Sequence, residues 1–271
     1  MVSGSQDTTA KVWNVATGQT LCTFTNHTCG VLCVALFSDD TRAITGGGAN
    51  DKTVRIWEIS TGVEERVFTG HSGGVFAVAV TPDSSTVVSA SGDHTIRLWN
   101  VASGQCENVL TGHEDQVWCV ALSPDGQRLV SGSHDKSITV WSMRTMRPKF
   151  TITNGHYDAV CGMAFTPNGV NLVSCSADKT IKVWNWRSRE LAMTLADHGS
   201  CTSCVAMFPD GKRLASGSED RTVRIWNLHS GMVEHTLEGH DGDVSSVAVS
   251  CDGKTLVSGS QDNSVRAWTL R

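Results

Sequence analysis

The apolar positions of this chain fall in short runs of five or six residues rather than at the three-to-four spacing of an amphipathic helix. Val117-Trp118-Cys119-Val120-Ala121-Leu122 is typical. It is followed by the turn signal Ser123-Pro124-Asp125-Gly126, then by Leu129-Val130-Ser131-Gly132-Ser133 and by Ile138-Thr139-Val140-Trp141. Pro and Gly stand where a tight hairpin turn wants one fixed and one permissive backbone. A fourth, more polar run, such as Gln105 to Leu110, completes the unit. Apolar content falls from the first run to the fourth, which predicts a sheet with covered inner strands and an outer strand that meets water. Roughly 42 residues for four strands and their turns leave no room for a helix of ordinary length.

The pattern repeats. Tryptophans recur at Trp13, Trp57, Trp99, Trp141, Trp184, Trp226 and Trp268, with spacings of 44, 42, 42, 43, 42 and 42 residues. An aspartate stands six residues before each: Asp7, Asp51, Asp93, Asp135, Asp178, Asp220 and Asp262. A histidine stands 28 residues before five of them, at His71, His113, His156, His198 and His240. For Trp57 the gap is 30, to His27, because Gly46-Gly47-Gly48-Ala49-Asn50 carries two extra residues. Three residue types in phase along a whole chain mark a repeat architecture.

A tryptophan buried between repeats brings an N–H that needs an acceptor. A hydroxyl on the second strand suits it: Thr45, Ser89, Ser131, Ser174, Ser216 or Ser258. The Gly-His, Pro-Asp-Gly, Ser-Gly-Ser-x-Asp and Trp landmarks, in that order, resemble the WD40 repeat family over the whole chain. Two features depart from the family pattern. No aspartate follows any of the tryptophans, and Asn26 and Asp197 replace the glycine before histidine. The resemblance implies an all-β fold, a WD40-type β-propeller, in which Trp, Ser/Thr, His and Asp of each blade form a closed hydrogen-bonded network. Such networks rigidify when complete and are costly when half made.

The phase of the repeat predicts a single domain over 1–271, with partial blades at 1–27 and 241–271. Full blades fall at 28–71, 72–113, 114–156, 157–198 and 199–240. Seven blades, the two terminal ones three-stranded, are favoured. The alternative is six, with Gln19 to Thr25 supplying the outer strand of the last. The phase of the two ends also suggests a segment of a longer array, of the kind that serves as sensor or scaffold in NTPase signalling proteins.

Ser, His and Asp in phase invite a hydrolase reading, and Gly70-His71-Ser72-Gly73-Gly74 matches G-x-S-x-G. That elbow needs a helix after it, whereas strand-like sequence lies on both sides here. Cys201-Thr202-Ser203-Cys204 beside His198 lacks the spaced second ligand pair of a zinc site. The expectation is therefore a non-catalytic scaffold with no cofactor, no metal and no small-molecule substrate. A net charge of -5 argues against nucleic acid, no apolar run is long enough to span a membrane, and ten cysteines without a readable leader suggest an intracellular, cytoplasmic setting.

A partner then has to be a peptide or protein held by side chains outside the framework. In the family, the face carrying the Gly-His loops, the propeller top face, commonly serves. Five residues after histidine stand Leu32, Phe76 and Trp118 on consecutive repeats, rimmed by Asn50, Gln116 and His134. Aromatic anchors with a polar rim are what such sites use. A second candidate is the basic set Arg144, Arg147 and Lys149 with Trp186, Arg187 and Arg189, suited to an acidic or phosphate-bearing ligand. Trp184-Asn185-Trp186-Arg187 also resembles the Trp-Asp-x-Arg box of substrate receptors of cullin-type ubiquitin ligases, with asparagine in place of the acid.

Overall fold

A computed structural model describes residues 1–270. Its regular elements, among the described residues, are all strands, arranged in seven antiparallel sheets of three or four. The chain divides into two compact units.

The first unit spans Met1–Leu122, Gly126–Asp135 and Thr139–Phe150. Its first blade is three-stranded: β1 (Val2–Gly4), β2 (Ala10–Trp13) and β3 (Thr20–Phe24). The second holds β4 (Val31–Leu36), β5 (Arg42–Gly47), β6 (Val54–Glu58) and β7 (Glu64–Phe68). The third holds β8 (Val75–Val80), β9 (Thr86–Ser91), β10 (Ile96–Asn100) and β11 (Cys106–Leu110). The fourth, through which the unit boundary runs, holds β12 (Val117–Leu122), β13 (Arg128–Ser133), β14 (Ile138–Ser142) and β15 (Arg147–Ile152).

The second unit comprises Ser123–Asp125, Lys136–Ile138 and the described residues from Thr151 on. The fifth blade is β16 (Val160–Phe165), β17 (Asn171–Ser176), β18 (Ile181–Asn185) and β19 (Glu190–Leu195). The sixth is β20 (Thr202–Met207), β21 (Arg213–Ser218), β22 (Val223–Asn227) and β23 (Val233–Leu237). The seventh stops at three strands: β24 (Val244–Val249), β25 (Thr255–Ser260) and β26 (Val265–Thr269). These are seven blades, the two terminal ones three-stranded. In the first, β3 pairs with β2, Lys11 opposite Thr23 and Val12 opposite Cys22. Residues 19–25 therefore belong to the first blade, and the six-bladed alternative is not adopted.

Burial departs from the expected gradient. The second strand of each full blade is the most enclosed, with Ala43 to Gly47, Val87 to Ser91 and Leu214 to Ser218 all buried. First strands such as β8 and β20 are buried at one end and half-exposed beyond it. The first strand is a sheet edge, with a hydrogen-bonded neighbour on one side only, whereas the second lies inside the sheet. Its apolar residues are nonetheless used, because consecutive blades pack face to face. Ile44, Val54, Ile56 and Phe68 of the second blade meet Val75, Val87 and Trp99 of the third. Val173, Ile181 and Leu195 of the fifth likewise meet Leu214 and Trp226 of the sixth.

In the third to seventh blades the framework residues close a chain of hydrogen bonds. In the sixth, the Trp226 indole donates to Ser216 Oγ at 2.7 Å, Ser216 lies 2.7 Å from His198 Nε2, and His198 Nδ1 lies 2.8 Å from Asp220. The Asp220 carboxylate can only accept, so Nδ1 carries the proton; in the neutral ring that burial favours, Nε2 then accepts the Ser216 hydroxyl, whose oxygen accepts from the indole. The same links join Trp99, Ser89, His71 and Asp93, and Trp141, Ser131, His113 and Asp135. They recur in Trp184, Ser174, His156 and Asp178, and in Trp268, Ser258, His240 and Asp262. Each aspartate also accepts the amide after the histidine, as Asp220 does from Gly199 at 3.0 Å.

The second blade carries the two extra residues and shows their cost. Trp57 and His27 still reach Thr45, at 2.8 and 2.6 Å. His27 Nδ1, however, is 3.2 Å from Asp51 Oδ1 and makes no hydrogen bond there. Burial pushes the His27 imidazole below its ordinary value. In the first blade, which has no histidine, Trp13 donates to Ser3 at 2.8 Å.

One framework feature is backbone only. The residue after each aspartate (Thr8, Lys52, His94, Lys136, Lys179, Arg221 and Asn263) has φ between 61° and 74°. None is glycine, so each blade holds a left-handed residue at a cost of about 1 kcal/mol or more. In return, two of these side chains reach the loop of the next repeat: Lys136 Nζ to the Tyr157 carbonyl at 3.1 Å and Lys179 Nζ to the Gly199 carbonyl at 3.0 Å.

Candidate functional site

The first strands are not regular. On β4, Val31 pairs with Gly47 and the next registered pair is Cys33 with Gly46, so Leu32 is skipped. Phe76 is skipped on β8 and Trp118 on β12 in the same way. Cys161, Ser203 and Ser245 occupy the bulge on the fifth, sixth and seventh blades. A bulge takes one side chain out of the strand's alternation and re-aims it. The slot five residues after histidine is thus set aside by the backbone, and its occupant varies freely because the ladder does not depend on it.

In the first unit this slot builds an aromatic corner. The rings of Phe76 and Trp118 meet edge to face, centroids 6.5 Å apart at 66°. Trp118 is followed by the His134 imidazole at 5.1 Å. Phe76 and Trp118 are half-buried and His134 is exposed. The Trp118 indole N–H is held by Gln116 Oε1 at 3.2 Å, and the His134 amide donates to the Gln116 carbonyl at 2.9 Å. Gly92 makes room for Phe76, since a Cβ there would lie 3.1 Å from the ring. Leu32 is half-buried at the same register of β4, and Asn50 is exposed in the loop after β5.

Two polar residues of this corner escape the sequence pattern. Asp115 Oδ2 accepts from His134 Nδ1 at 2.8 Å, and its other oxygen is 3.8 Å from His94 Nε2. The His134 hydrogen bond, helped by the Gln116 amide, holds the Asp115 carboxyl below the ordinary carboxylate range. His134 is marked in the sequence by its slot just before the framework aspartate Asp135, whereas His94, the residue after Asp93, carries no such mark. Nothing in the spacing brings Asp115 between them.

The basic residues fall into two groups, one in each unit. Arg144, Arg147 and Lys149, with Arg128, line a pocket of about 330 Å³ beside β15. In the second unit Arg187 and Arg189 are exposed, but Trp186 is not a surface anchor. It is only 6% exposed, donates its indole N–H to the Gly169 carbonyl at 3.0 Å, and meets Phe165 edge-on at 6.3 Å. The reading that centres a docking patch on this indole is corrected: the ring packs inward and offers Arg187 a cation–π contact at 5.3 Å. Asn185 Oδ1 is committed to the amides of Arg187 and Ser188.

The framework serines are poor nucleophiles by position. Ser89, Ser131, Ser174 and Ser216 are 0% exposed, and each oxygen is already shared between an indole and an imidazole. Ser72 of the G-x-S-x-G match lies between β7 and β8, with no helix after it. No group of three or more His, Cys, Asp or Glu suited to a metal ion occurs among the described residues, and no helix among them is long and apolar enough to cross a membrane.

The family model described as "WD domain, G-beta repeat" matches residues 18–58, 62–100, 104–142, 147–185, 189–227 and 231–269. Comparison with curated proteins gave no match.

Proposed function

The chain belongs to the WD40 repeat family, and from that premise we propose that it is a non-catalytic scaffold that docks a peptide or protein partner on the Phe76–Trp118–His134 corner. Propellers of this family commonly act as protein-interaction scaffolds. The observation that carries the reading is the cluster of three rings, two of them on neighbouring bulges, with the Trp118 indole N–H held by Gln116. Rigid aromatic rings beside fixed polar groups lose little entropy on binding and exclude water well. Leu32 extends the apolar surface by one blade, and Asn50 with Asp115 supplies the polar rim.

Affinity capture from cell extract, wild type beside Phe76→Ala/Trp118→Ala, tests the proposal. The variant is expected to keep its β-sheet circular dichroism and to lose specific partners by at least about tenfold, the scale of an aromatic hot spot. Equal recovery by a folded double variant means that the partner docks elsewhere.

The cation-lined pocket favours a second reading, an accessory site for an acidic or phosphate-bearing peptide. Arg144→Glu/Arg147→Glu should weaken capture of a phosphopeptide by about tenfold or more and flatten its salt dependence. Binding that keeps its strength and its salt slope in that variant rejects the site.

A further inference from the structure

Cys161 occupies the bulge slot of the fifth blade, and Cys201 stands three residues after His198, the position that Gln116 holds after His113. Forty residues separate them along the chain, yet their sulfurs are 3.9 Å apart. The fifth and sixth blades approach closely at this end, since a Cβ on Gly162 of β16 would lie 3.2 Å from Cys204 Cα of β20. Both thiols are half-buried, and so within reach of a small oxidant. We propose that Cys161 and Cys201 form an oxidant-responsive dithiol that closes into a disulfide between the first-strand ends of the fifth and sixth blades.

The chemistry needs little motion. Side-chain rotation has to bring the sulfurs from 3.9 Å to the roughly 2.05 Å of a disulfide. The Cys201 sulfur, as thiolate, attacks the O–O bond of a peroxide. This forms a sulfenic acid, and the leaving hydroxide takes up the proton lost from the thiol as water. The Cys161 sulfur then attacks the sulfenic sulfur, and its proton leaves with the expelled hydroxyl as a second water. Two thiols lose two electrons and one peroxide gains them. Cys201 is the better attacking group, because the hydrogen bond with Cys161 lowers its thiol from the ordinary value against the opposing effects of burial and Glu219. Its sequence neighbour is the reverse case: desolvation pushes the Cys204 thiol up to about 12, as it does Cys33 and Cys119 at the same register. The thiol disposed to attack is therefore Cys201, and the sulfur beside it is that of Cys161 across the blades.

The slots concerned match those of Trp118 and Gln116 in the fourth blade, so the disulfide stiffens the rim that carries the variable side chains. The test is peptide mapping of dilute full-length protein after one equivalent of hydrogen peroxide and alkylation of remaining thiols. A cross-linked peptide joining Cys161 to Cys201, absent after dithiothreitol, is the expected product. Cys161→Ser installs the residue that the sixth and seventh blades carry at this slot, Ser203 and Ser245. It should abolish the cross-link and leave Cys201 trapped by dimedone as a sulfenic acid. Recovery of both wild-type residues as alkylated thiols, their overoxidation without a cross-link, or a cross-link from either to a different cysteine overturns the proposal.

Discussion

Replacing Ser216 by alanine should lower the stability of the protein by about 2–4 kcal/mol, seen as a shift of the urea midpoint, although only one oxygen is removed. That oxygen is hydrogen-bonded to both the Trp226 indole and His198, at 2.7 Å to each, and it is fully buried. Alanine leaves a donor and an acceptor without partners in a place water does not reach, and each orphan costs about 1–2 kcal/mol. The imidazole also loses the hydroxyl bond at Nε2, so its donation to Asp220 weakens too. Ser3→Ala in the first blade is the internal control. Ser3 accepts from Trp13 at 2.8 Å in a blade without a framework histidine and is only partly buried, so its loss should cost about 1 kcal/mol or less. Equal losses at the two sites would show that the indole–hydroxyl bond, rather than the closed chain, carries the energy.

The framework was legible because it is periodic. Trp226, Ser216, His198 and Asp220 are each one of a set in phase, and a residue type that recurs every 42 to 44 positions announces a shared duty. The three-stranded first and seventh blades follow from the same phase. Legibility ended where a position depends on what lies beside it in space. Leu32, Phe76 and Trp118 were recognised as departures from the repeat, but the bulge that releases them from the ladder has no composition signature, since its occupant elsewhere is Cys161, Ser203 or Ser245. Trp186 looked like a surface residue because it is out of phase. The Phe165 ring and the Gly169 carbonyl draw it inward, contacts that the spacing of the tryptophans does not announce. Asp115 joins His134 through a loop pairing, and Cys161 meets Cys201 across a blade boundary, so neither contact is written in local spacing.

Periodicity and function are linked by a division of labour within each blade. Hydroxyl, imidazole and carboxylate are consumed by the fold, and the left-handed residue after the aspartate spends conformational energy to reach the next loop. The bulge slot and the slot three after histidine carry no such duty, so their side chains can change without disturbing the ladder. Phe76, Trp118 and Gln116 of the aromatic corner and both cysteines of the dithiol sit in those two slots, one set in each compact unit. The proposed partner site and the proposed redox pair, on different blades, thus share one structural origin.

Acid should unfold the protein in two stages, and the sign follows from the network. His27 and His198 are held below the ordinary imidazole value of 6.5 by burial, which for His198 outweighs the pull of Asp220. The unfolded chain therefore binds protons first, and their contribution, complete above pH 6.5, declines as pH falls through the folded values. The carboxyls act lower. Burial alone would raise Asp51, Asp93, Asp178, Asp220 and Asp262, but hydrogen bonds from the neighbouring hydroxyls, imidazoles and amides outweigh it. All five lie below the ordinary 3.8, Asp51 at about 2. Their contribution is full above pH 3.8 and is lost as pH falls through the folded values. The urea midpoint should be level above pH 7, decline gently below 6.5, and fall steeply below about 4, with an uptake on unfolding of at least about two protons in the steep range. Five carboxylates of one kind losing their hydrogen bonds over the same interval make this the largest response to solution conditions expected of the chain. A midpoint that holds between pH 5 and 2.5, or rises on acidification, would mean that the aspartates do not accept from histidine and amide as ionised groups.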